Sequence, residues 1–207
     1  MFLQILLHPV VMFLAGLLVA LVGLIGFLKF HAAPNRSAEE VTAYESRLER
    51  VPASDFESGS AEETAALGRF TAFLQGIGDV GFIRENTSKV YSTDAFLDDT
   101  LVAHHGAAEI EAYFVKTSEV MTHYQVTIND VARSGDDYYV RWTMVFAAPA
   151  LGGGEAIQSV GISQVRFDPD GKVAVHQDFW DSGKNFFAHL PGVDGIIGYI
   201  QKRLESN

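Results

Sequence analysis

The order of the hydrophobic patterns along the chain constrains its fold most strongly. Apolar side chains recur at helical spacing up to residue 121 and then alternate with the period of two that is typical of strands. We predict helices over Ala61–Gly76, Asp79–Val90, Gly106–Met121 and Pro191–Leu204, and strands over Tyr124–Ile128, Tyr138–Phe146, Ile157–Phe167 and Lys172–Trp180. Helices followed by hairpin-linked strands indicate an α+β domain with an antiparallel sheet.

The composition excludes several kinds of site. The chain has no cysteine, which excludes disulfides, thiolate zinc sites and cysteine nucleophiles. Its 26 Asp and Glu outnumber 15 Lys and Arg, for a net charge of −11, and an acidic surface repels phosphate, so we expect no nucleic-acid partner. No third ligand follows His104 and His105 at metal-site spacing. We therefore expect two exposed loop histidines, and we predict neither a metal site nor a cofactor.

The first thirty residues form a segment of different composition. No side chain before Lys29 carries a formal charge, apart from His8 when protonated, and residues 10–28 are continuously apolar. About 20 helical residues span the hydrocarbon core of a bilayer. A cleaved signal peptide is the alternative, but no Lys or Arg precedes the apolar run and residues 30–33 are a poor cleavage site. We predict an uncleaved, single-pass transmembrane anchor over residues 1–30.

The anchor hypothesis sets the organisation of the rest of the chain. Residues 31–60 are polar, contain Pro34 and Pro52, and are predicted to be a linker, with the soluble domain over residues 61–207. The basic residues nearest the anchor all follow it, so the positive-inside rule predicts that the domain is cytoplasmic. The predicted partners are therefore the lipid bilayer and, as a further option, another membrane protein.

Three stretches together resemble the nuclear transport factor 2-like superfamily, in its ketosteroid isomerase and SnoaL-like branch. They are Tyr91–Asp99, Gly106–Phe114 and Val165–Val173, and the resemblance covers roughly residues 62–185. The pieces Arg141–Met144, Gly161–Ser163 and His176–Asp181 are similar to a bacterial SnoaL-like subgroup. The resemblance implies a cone in which a curved antiparallel sheet packs on about three helices around an apolar pocket. It also implies a homodimer formed through the sheet and, given the anchor, a place in the bacterial inner membrane.

The candidate chemistry lies on the last predicted strand. Side chains alternate along a strand, so His176, Asp178 and Trp180 share one face, and the resemblance places that face in the pocket. A carboxylate beside an imidazole can fix its tautomer and orient it for general acid–base catalysis. The alternative is a buried polar pair with no catalytic role.

The resemblance also assigns roles that this sequence fills only in part. Asp99 falls where ketosteroid isomerases carry their general base; alternatively it is an ordinary turn residue, or a one-residue shift turns Asp98 inward instead. Ser163 stands where the isomerases have an acidic donor, and Phe70 or Thr71 stands near the position of their tyrosine. A serine hydroxyl is a weaker donor to an oxyanion. Steroid isomerisation by their mechanism is therefore not expected, and a different acid–base reaction, such as epoxide opening, dehydration or cyclisation, stays open.

Two functions follow from these patterns. The first is an enzyme of isomerase, hydrolase or cyclase type that binds a hydrophobic small molecule or lipid. Its catalytic residues are His176, Asp178 and Asp99, and its substrate-binding residues are Ser163, Trp142, Met144, Trp180 and Tyr91. The second is a non-catalytic dimerisation or interaction subunit of a membrane complex. An open pocket favours the enzyme, whereas a pocket filled by the two tryptophans favours the interaction subunit.

Overall fold

The computed structural model describes residues 37–206, together with residues 13, 16–26 and 29. The chain divides into two compact units, Met1–Glu45 and Ser46–Asn207. Residues 16–26 are helical. No helix in the described part of the chain combines the length and the apolar character that crossing a membrane requires. Much of the predicted anchor lies outside the described residues, and it stays a prediction.

Helices and strands follow one another largely in the predicted order. The helices are α1 (Ser37–Arg50), α2 (Ala61–Gly76), α3 (Val80–Val90), α4 (Gly106–Val120), α5 (Ser182–Asn185) and α6 (Val193–Glu205). The strands are β1 (Tyr91–Asp98), β2 (Ala103–His105), β3 (His123–Ser134), β4 (Asp137–Ala147), β5 (Ile157–Phe167) and β6 (Val173–Trp180). Short 3-10 turns lie at Gly152–Gly154 and Phe187–His189.

Helices α2 and α3 begin where side chains satisfy their free backbone N–H groups. At the start of α2, the Ser60 hydroxyl accepts a hydrogen bond from the Glu63 N–H at 3.1 Å. At the start of α3, the Asp79 carboxylate accepts from the Phe82 N–H at 3.0 Å. Such caps stabilise helix termini and fix where a helix starts. The predicted bounds of α2 are confirmed, and those of α3 and α4 are confirmed to within one residue.

All six strands form one sheet, in the order β2-β1-β6-β5-β4-β3. Strands β3 to β6 pair antiparallel in sequence, as predicted. However, β1 pairs with β6 in parallel, with Leu97 opposite His176. The prediction of a purely antiparallel sheet is wrong at this pair, because no hairpin joins β1 to β6. The long connection between them leaves either direction open.

The main core lies between the inner face of the sheet and helices α2, α3 and α4. Its buried side chains include Phe70 and Phe73 from α2, Ile83 from α3 and Phe114 from α4, none of them more than 5 % exposed. They pack against inward-facing strand residues such as Val140. The predicted α+β architecture, a curved sheet packed on about three helices, is confirmed.

The second half of the predicted linker packs on the sheet. The Ser54 N–H donates to the Phe167 carbonyl at 3.0 Å, and the ring of Phe56 lies 6.1 Å from that of Phe167. The Arg166 guanidinium pairs with Asp137 and also donates to the Leu48 carbonyl. Many of these contacts are to backbone groups, so they leave no hydrophobic periodicity in the sequence.

Candidate active site

A cavity of about 930 Å³ lies on the inner side of the sheet and is partly open to solvent. Its apolar wall includes Leu74, Leu97, Val126, Trp142, Met144 and Trp180. This volume is near the upper end of the range for small-molecule sites. The structure places the predicted residues Trp142, Met144 and Trp180 in the wall, and the two tryptophans leave the cavity open.

The polar centre of the cavity is the carboxylate of Asp178 on β6. Ser163 lies opposite Asp178 on β5, and its hydroxyl donates to Asp178 Oδ1 at 2.5 Å. The indole Nε1 of Trp142 on β4 donates to the Ser163 oxygen at 2.9 Å. His176 Nε2 lies 2.9 Å from the same Asp178 oxygen. The inner faces of three neighbouring strands therefore supply one hydrogen-bonded cluster.

The hydrogen-bond partners fix the tautomer of His176. A carboxylate only accepts hydrogen bonds, so the His176 nitrogen that faces Asp178, Nε2, carries the proton. In the neutral imidazole Nδ1 is then an acceptor, and the Tyr91 hydroxyl donates to it at 2.9 Å. Both His176 nitrogens are thus engaged, and the residue is only 1 % exposed. His176 orients the carboxylate from behind and has no free nitrogen to offer a ligand.

Asp178 keeps one oxygen for a ligand. Its Oδ1 accepts from both Ser163 and His176, whereas Oδ2 has no hydrogen-bond partner within residues 37–206. The Asp178 side chain is 17 % exposed and lines the cavity. The structure thus brings the predicted pair together, with the carboxylate in front and the imidazole behind it.

Tyr91 was predicted to bind substrate, and the structure places it elsewhere. It is 1 % exposed and does not line the cavity. Its ring stacks on His176 at 6.1 Å and meets Phe73 edge-on at 5.5 Å. The substrate-binding prediction for Tyr91 is wrong, because β1 carries this ring into the core behind His176.

Asp99 is both a turn residue and part of the cavity wall. It follows the last residue of β1, and its Oδ1 accepts from the N–H groups of Leu101 and Val102 at 2.9 and 2.8 Å. The Tyr113 hydroxyl donates to its other oxygen, Oδ2, and Trp180 Nε1 donates to its backbone carbonyl at 2.7 Å. Both carboxylate oxygens of Asp99 therefore accept hydrogen bonds from the protein. Neither can take a proton from a ligand unless one of these hydrogen bonds breaks.

The other residues singled out near the isomerase positions offer no donor to the cavity. The Ser163 hydroxyl is engaged by Asp178. The ring of Phe70 contacts His176 edge-on at 5.1 Å, and the Thr71 hydroxyl donates to the Leu67 carbonyl at 2.8 Å within α2.

His104 differs from its predicted place. It lies in β2, paired with Leu97, and this pairing turns its ring toward the cavity, where it stacks on Tyr113 at 4.5 Å. The expectation of an exposed loop residue is wrong for His104, because a strand of only three residues is too short to show an alternating pattern. His105 is exposed, as predicted. Among buried side-chain polar atoms in the described part of the chain, only His104 Nε2 has no partner.

Two tyrosines that were not predicted as site residues, Tyr113 and Tyr124, also line the cavity. Burial raises the pKa of Tyr113 above its ordinary value, and the charge of Asp99 adds to the rise. Burial raises the pKa of Tyr124 as well, and the charges of Asp178 and Asp99 add to it. Both phenols therefore stay protonated donors. The inward alternation of Tyr124 and Val126 along β3 was the signal that could have revealed Tyr124.

Comparisons with known proteins agree with this fold. A family model described as the SnoaL-like domain matches residues 78–176. A protein from a Jannaschia species, described as a SnoaL-like polyketide cyclase, is 16% identical, with a TM-score of 0.52 over 66% of this chain and 97% of that one. A protein from Catenulispora acidiphila with a ketosteroid isomerase-like fold, solved with trimethylamine, is 15% identical, with a TM-score of 0.51 over 62% of this chain and 95% of that one. No curated protein matches the chain.

At such identities the structural likeness defines the fold alone. The domain has the SnoaL-like, nuclear transport factor 2-like fold, as the resemblance in the sequence implied.

Proposed function

We propose that this domain binds an apolar small molecule and acts on it as an acid–base enzyme of the isomerase or cyclase type, with Asp178 as the group that transfers the proton. The observation that carries the proposal is the state of its carboxylate. One oxygen is held by Ser163 and His176, and the other faces an apolar cavity without a partner among the described residues. The descriptions of the similar structures, a polyketide cyclase and a ketosteroid isomerase-like fold, support the same reaction types.

The surroundings of Asp178 suit a general base. Two donors hold the carboxylate in one orientation, so little reorganisation is needed when a ligand presents a proton. The Tyr91 hydroxyl locks the tautomer of His176, which makes both His176 and Tyr91 positioning residues. The apolar wall limits the access of water to the reacting atoms.

The first test compares wild type with Asp178→Asn and with a matched control, Asp136→Asn, at an exposed turn position. Each full-length protein is purified in detergent from its own cells, and the bound small molecules are identified by mass spectrometry. We expect an apolar species to accumulate on Asp178→Asn and to be absent, or replaced by its product, on wild type and control. Identical bound species on all three proteins would favour passive binding, and no bound species on any of them would remove the proposal.

A non-catalytic role in assembly is the second candidate, and exposed apolar side chains on the outer face of the sheet favour it. Val160, Ile162 and Phe179 are 57%, 38% and 49% exposed, and Ile162 pairs with Phe179 across β5 and β6. Contiguous apolar surface of this kind is a usual feature of protein–protein contacts. We propose that a second copy of this chain covers it. Such a homodimer is compatible with catalysis in each cavity.

We also propose that residues 1–30 anchor the protein in the bacterial inner membrane, with the domain in the cytoplasm and within reach of hydrophobic substrates. The proposal rests on the length and apolar character of the sequence. Alkaline extraction of membranes should leave the full chain in the pellet and release a variant that lacks residues 1–30. Release of the full chain by alkali would contradict the anchor.

A further inference from the structure

We propose that the cavity takes a ligand whose only polar group is a protonated amine, with an N–H of the ammonium ion bonded to Asp178 Oδ2 and aromatic rings around it. This inference rests on the proposed function and names its substrate class, a cation with an apolar body. The charges, the free carboxylate oxygen and the aromatic wall of the cavity carry it.

The charged side chains of the cavity wall are the first argument. Asp99, Asp178 and Glu109 are acidic, and Lys116 is the only Lys or Arg in this wall within the described part of the chain. Glu109 and Lys116 are exposed side chains of α4, so their charges lie in water and largely cancel. Neither Asp99 nor Asp178 forms an ion pair with a Lys or Arg of residues 37–206. The interior of the cavity therefore has an excess of negative charge.

The phenols of the cavity respond to this charge. Burial raises the pKa of Tyr124 above its ordinary value, and the charges of Asp178 and Asp99 raise it further. The same two carboxylates add to the rise in the pKa of Tyr113, where burial is again the largest cause. The carboxylates thus disfavour a new negative charge on a phenol. By the same electrostatics they favour a positive charge on a ligand and disfavour an anionic ligand.

The free oxygen of Asp178 fixes where the cation binds. Oδ1 accepts from Ser163 and His176, so Oδ2 is the carboxylate oxygen that is left for a ligand. A carboxylate only accepts hydrogen bonds, so the ligand has to supply the donor. A hydrogen bond from an ammonium N–H to a carboxylate is roughly twice as strong as one between neutral groups. The ligand therefore carries at least one N–H, which excludes a quaternary ammonium ion.

The aromatic wall is the third argument. Trp142 and Trp180 both line the cavity, and their indole N–H groups donate to Ser163 and to the Asp99 carbonyl. What the two indoles offer a ligand is therefore their carbon rings and π-electrons. The ring of Tyr124 lines the same cavity. Aromatic rings, tryptophan most of all, attract cations and also contact apolar groups, so this wall suits both parts of the ligand.

The proposed proton transfer balances with such a ligand. The ammonium N–H bond breaks, its proton goes to Asp178 Oδ2, and its electron pair stays on the nitrogen. The ion pair thus becomes a neutral amine beside a neutral carboxylic acid, with no net change in charge and no oxidant or reductant. An apolar wall favours such a neutral pair, because buried charges are costly. The nitrogen then has the free electron pair that a nucleophile needs.

Three probes with one ring skeleton test the inference. β-Aminotetralin is a cation at neutral pH, β-tetralol is a neutral donor of similar size, and the corresponding β-carboxylate is an anion. Binding of each probe to full-length protein in nanodiscs is measured by isothermal titration calorimetry, with empty nanodiscs as the blank. The proteins are wild type, Asp178→Asn and the control Asp136→Asn, which removes the same charge at an exposed turn position.

The Asp178→Asn substitution leaves the rest of the cavity intact. In this variant the side-chain carbonyl can still accept from Ser163 and His176, whereas an NH2 group takes the place of Oδ2. That NH2 group cannot accept a hydrogen bond from an ammonium ion, but it can donate one to the oxygen of an alcohol. Retained binding of β-tetralol thus reports that the cavity is folded, and only the cation should lose affinity.

We expect wild type and Asp136→Asn to bind β-aminotetralin about 10-fold more tightly than β-tetralol, because the hydrogen bond to the amine is charge-assisted. The carboxylate should bind more weakly than either. Asp178→Asn should bind the amine about 10-fold less tightly than wild type does, and the alcohol equally well.

Equal binding of the amine and the alcohol by wild type would overturn this inference and leave the proposed function standing. An equal loss of affinity for the amine in Asp178→Asn and Asp136→Asn would do the same, since the effect would then come from net charge rather than from the cavity. Absence of binding by all three probes to wild type would overturn both the inference and the proposed function.

Discussion

At the scale of single residues, the indole of Trp142 reaches Ser163 only because residue 161 has no side chain. A Cβ atom at Gly161 would lie 2.3 Å from the Trp142 ring, well inside van der Waals contact. The backbone of β5 is otherwise regular here, with Gly161 opposite Trp142 on one side and Trp180 on the other. The need for glycine at this position thus comes from the space that a neighbouring ring occupies.

Gly161→Ala should therefore displace the Trp142 ring, break its bond to Ser163 and loosen the carboxylate of Asp178. We expect a loss of about 1–3 kcal/mol in the free energy of unfolding, as for other overpacked cores. Denaturant unfolding measures this effect. Gly68→Ala is the control, because Gly68 is an exposed position in α2 with open space around it. The free energy of unfolding of this variant should be about 0.5–1 kcal/mol higher than that of wild type. Equal stability of the two variants would rule out the packing argument.

The sequence predicts which side chains of the site share a face of the sheet, but it does not predict their hydrogen bonds. The reason is physical. Strand alternation placed His176, Asp178 and Trp180 on one face, and the structure has them there. The direction of the hydrogen bonds could not be predicted, because it depends on Tyr91, a residue 85 positions away that meets His176 only in the folded chain. The engagement of both Asp99 oxygens depends on Tyr113 in the same way.

At the scale of elements, Glu63 ties the start of α2 to the β3–β4 hairpin. Its Oε2 accepts from the Gly59 N–H at 2.6 Å, which helps to cap the helix. Its Oε1 accepts from Arg133 at 2.8 Å and from the Tyr138 hydroxyl at 2.7 Å. The hydrogen bond from Gly59 lowers the pKa of Glu63 below its ordinary value of 4.5, and the bond from Tyr138 acts in the same direction.

Because folding lowers the pKa of Glu63, the contribution of this residue to the free energy of unfolding depends on pH. The charged form is favoured by folding, so the contribution is present above pH 4.5 and is lost as the pH falls through the lowered pKa. Glu63→Gln should be less stable than wild type by about 1–3 kcal/mol at neutral pH, with a smaller difference in acid. Denaturant unfolding at several pH values measures both. A difference that stays constant from neutral to acidic pH would contradict the assigned role of the charge.

Elements with regular periodicity could be predicted, and the others could not. The bounds of α2 and β5 agree with the sequence, because a helical or alternating pattern runs through each of them. In β1 the burial pattern is irregular, with adjacent residues buried on both faces, and β2 has three residues. The second half of β3 is exposed on both faces, so its sequence shows no alternation of apolar and polar side chains.

At the scale of the whole molecule, we expect a homodimer, because the outer face of the sheet carries exposed apolar side chains. Ile162→Lys places a charge within the exposed apolar surface around Phe179, so it should shift the proposed homodimer toward monomer in light scattering. Val131→Lys is a matched control: Val131 has the same 38% exposure as Ile162, but it pairs with the inward-facing Val140 and so lies on the other face of the sheet. A wild-type protein that is monomeric at all concentrations, or an equal effect of both substitutions, would contradict dimerisation through this face.

The positions of the tryptophans have a practical consequence. The chain has two tryptophans, Trp142 and Trp180, and both lie in the cavity wall. Their indole N–H groups donate hydrogen bonds to the Ser163 oxygen and to the Asp99 carbonyl, respectively. Intrinsic tryptophan emission from this protein therefore comes entirely from the cavity. Occupation of the cavity should change the intensity or colour of that emission, whereas events on the outer sheet face or at α6 should change it little. The fold thus has a built-in optical reporter, with which a library of unlabelled compounds can be screened before any substrate is known.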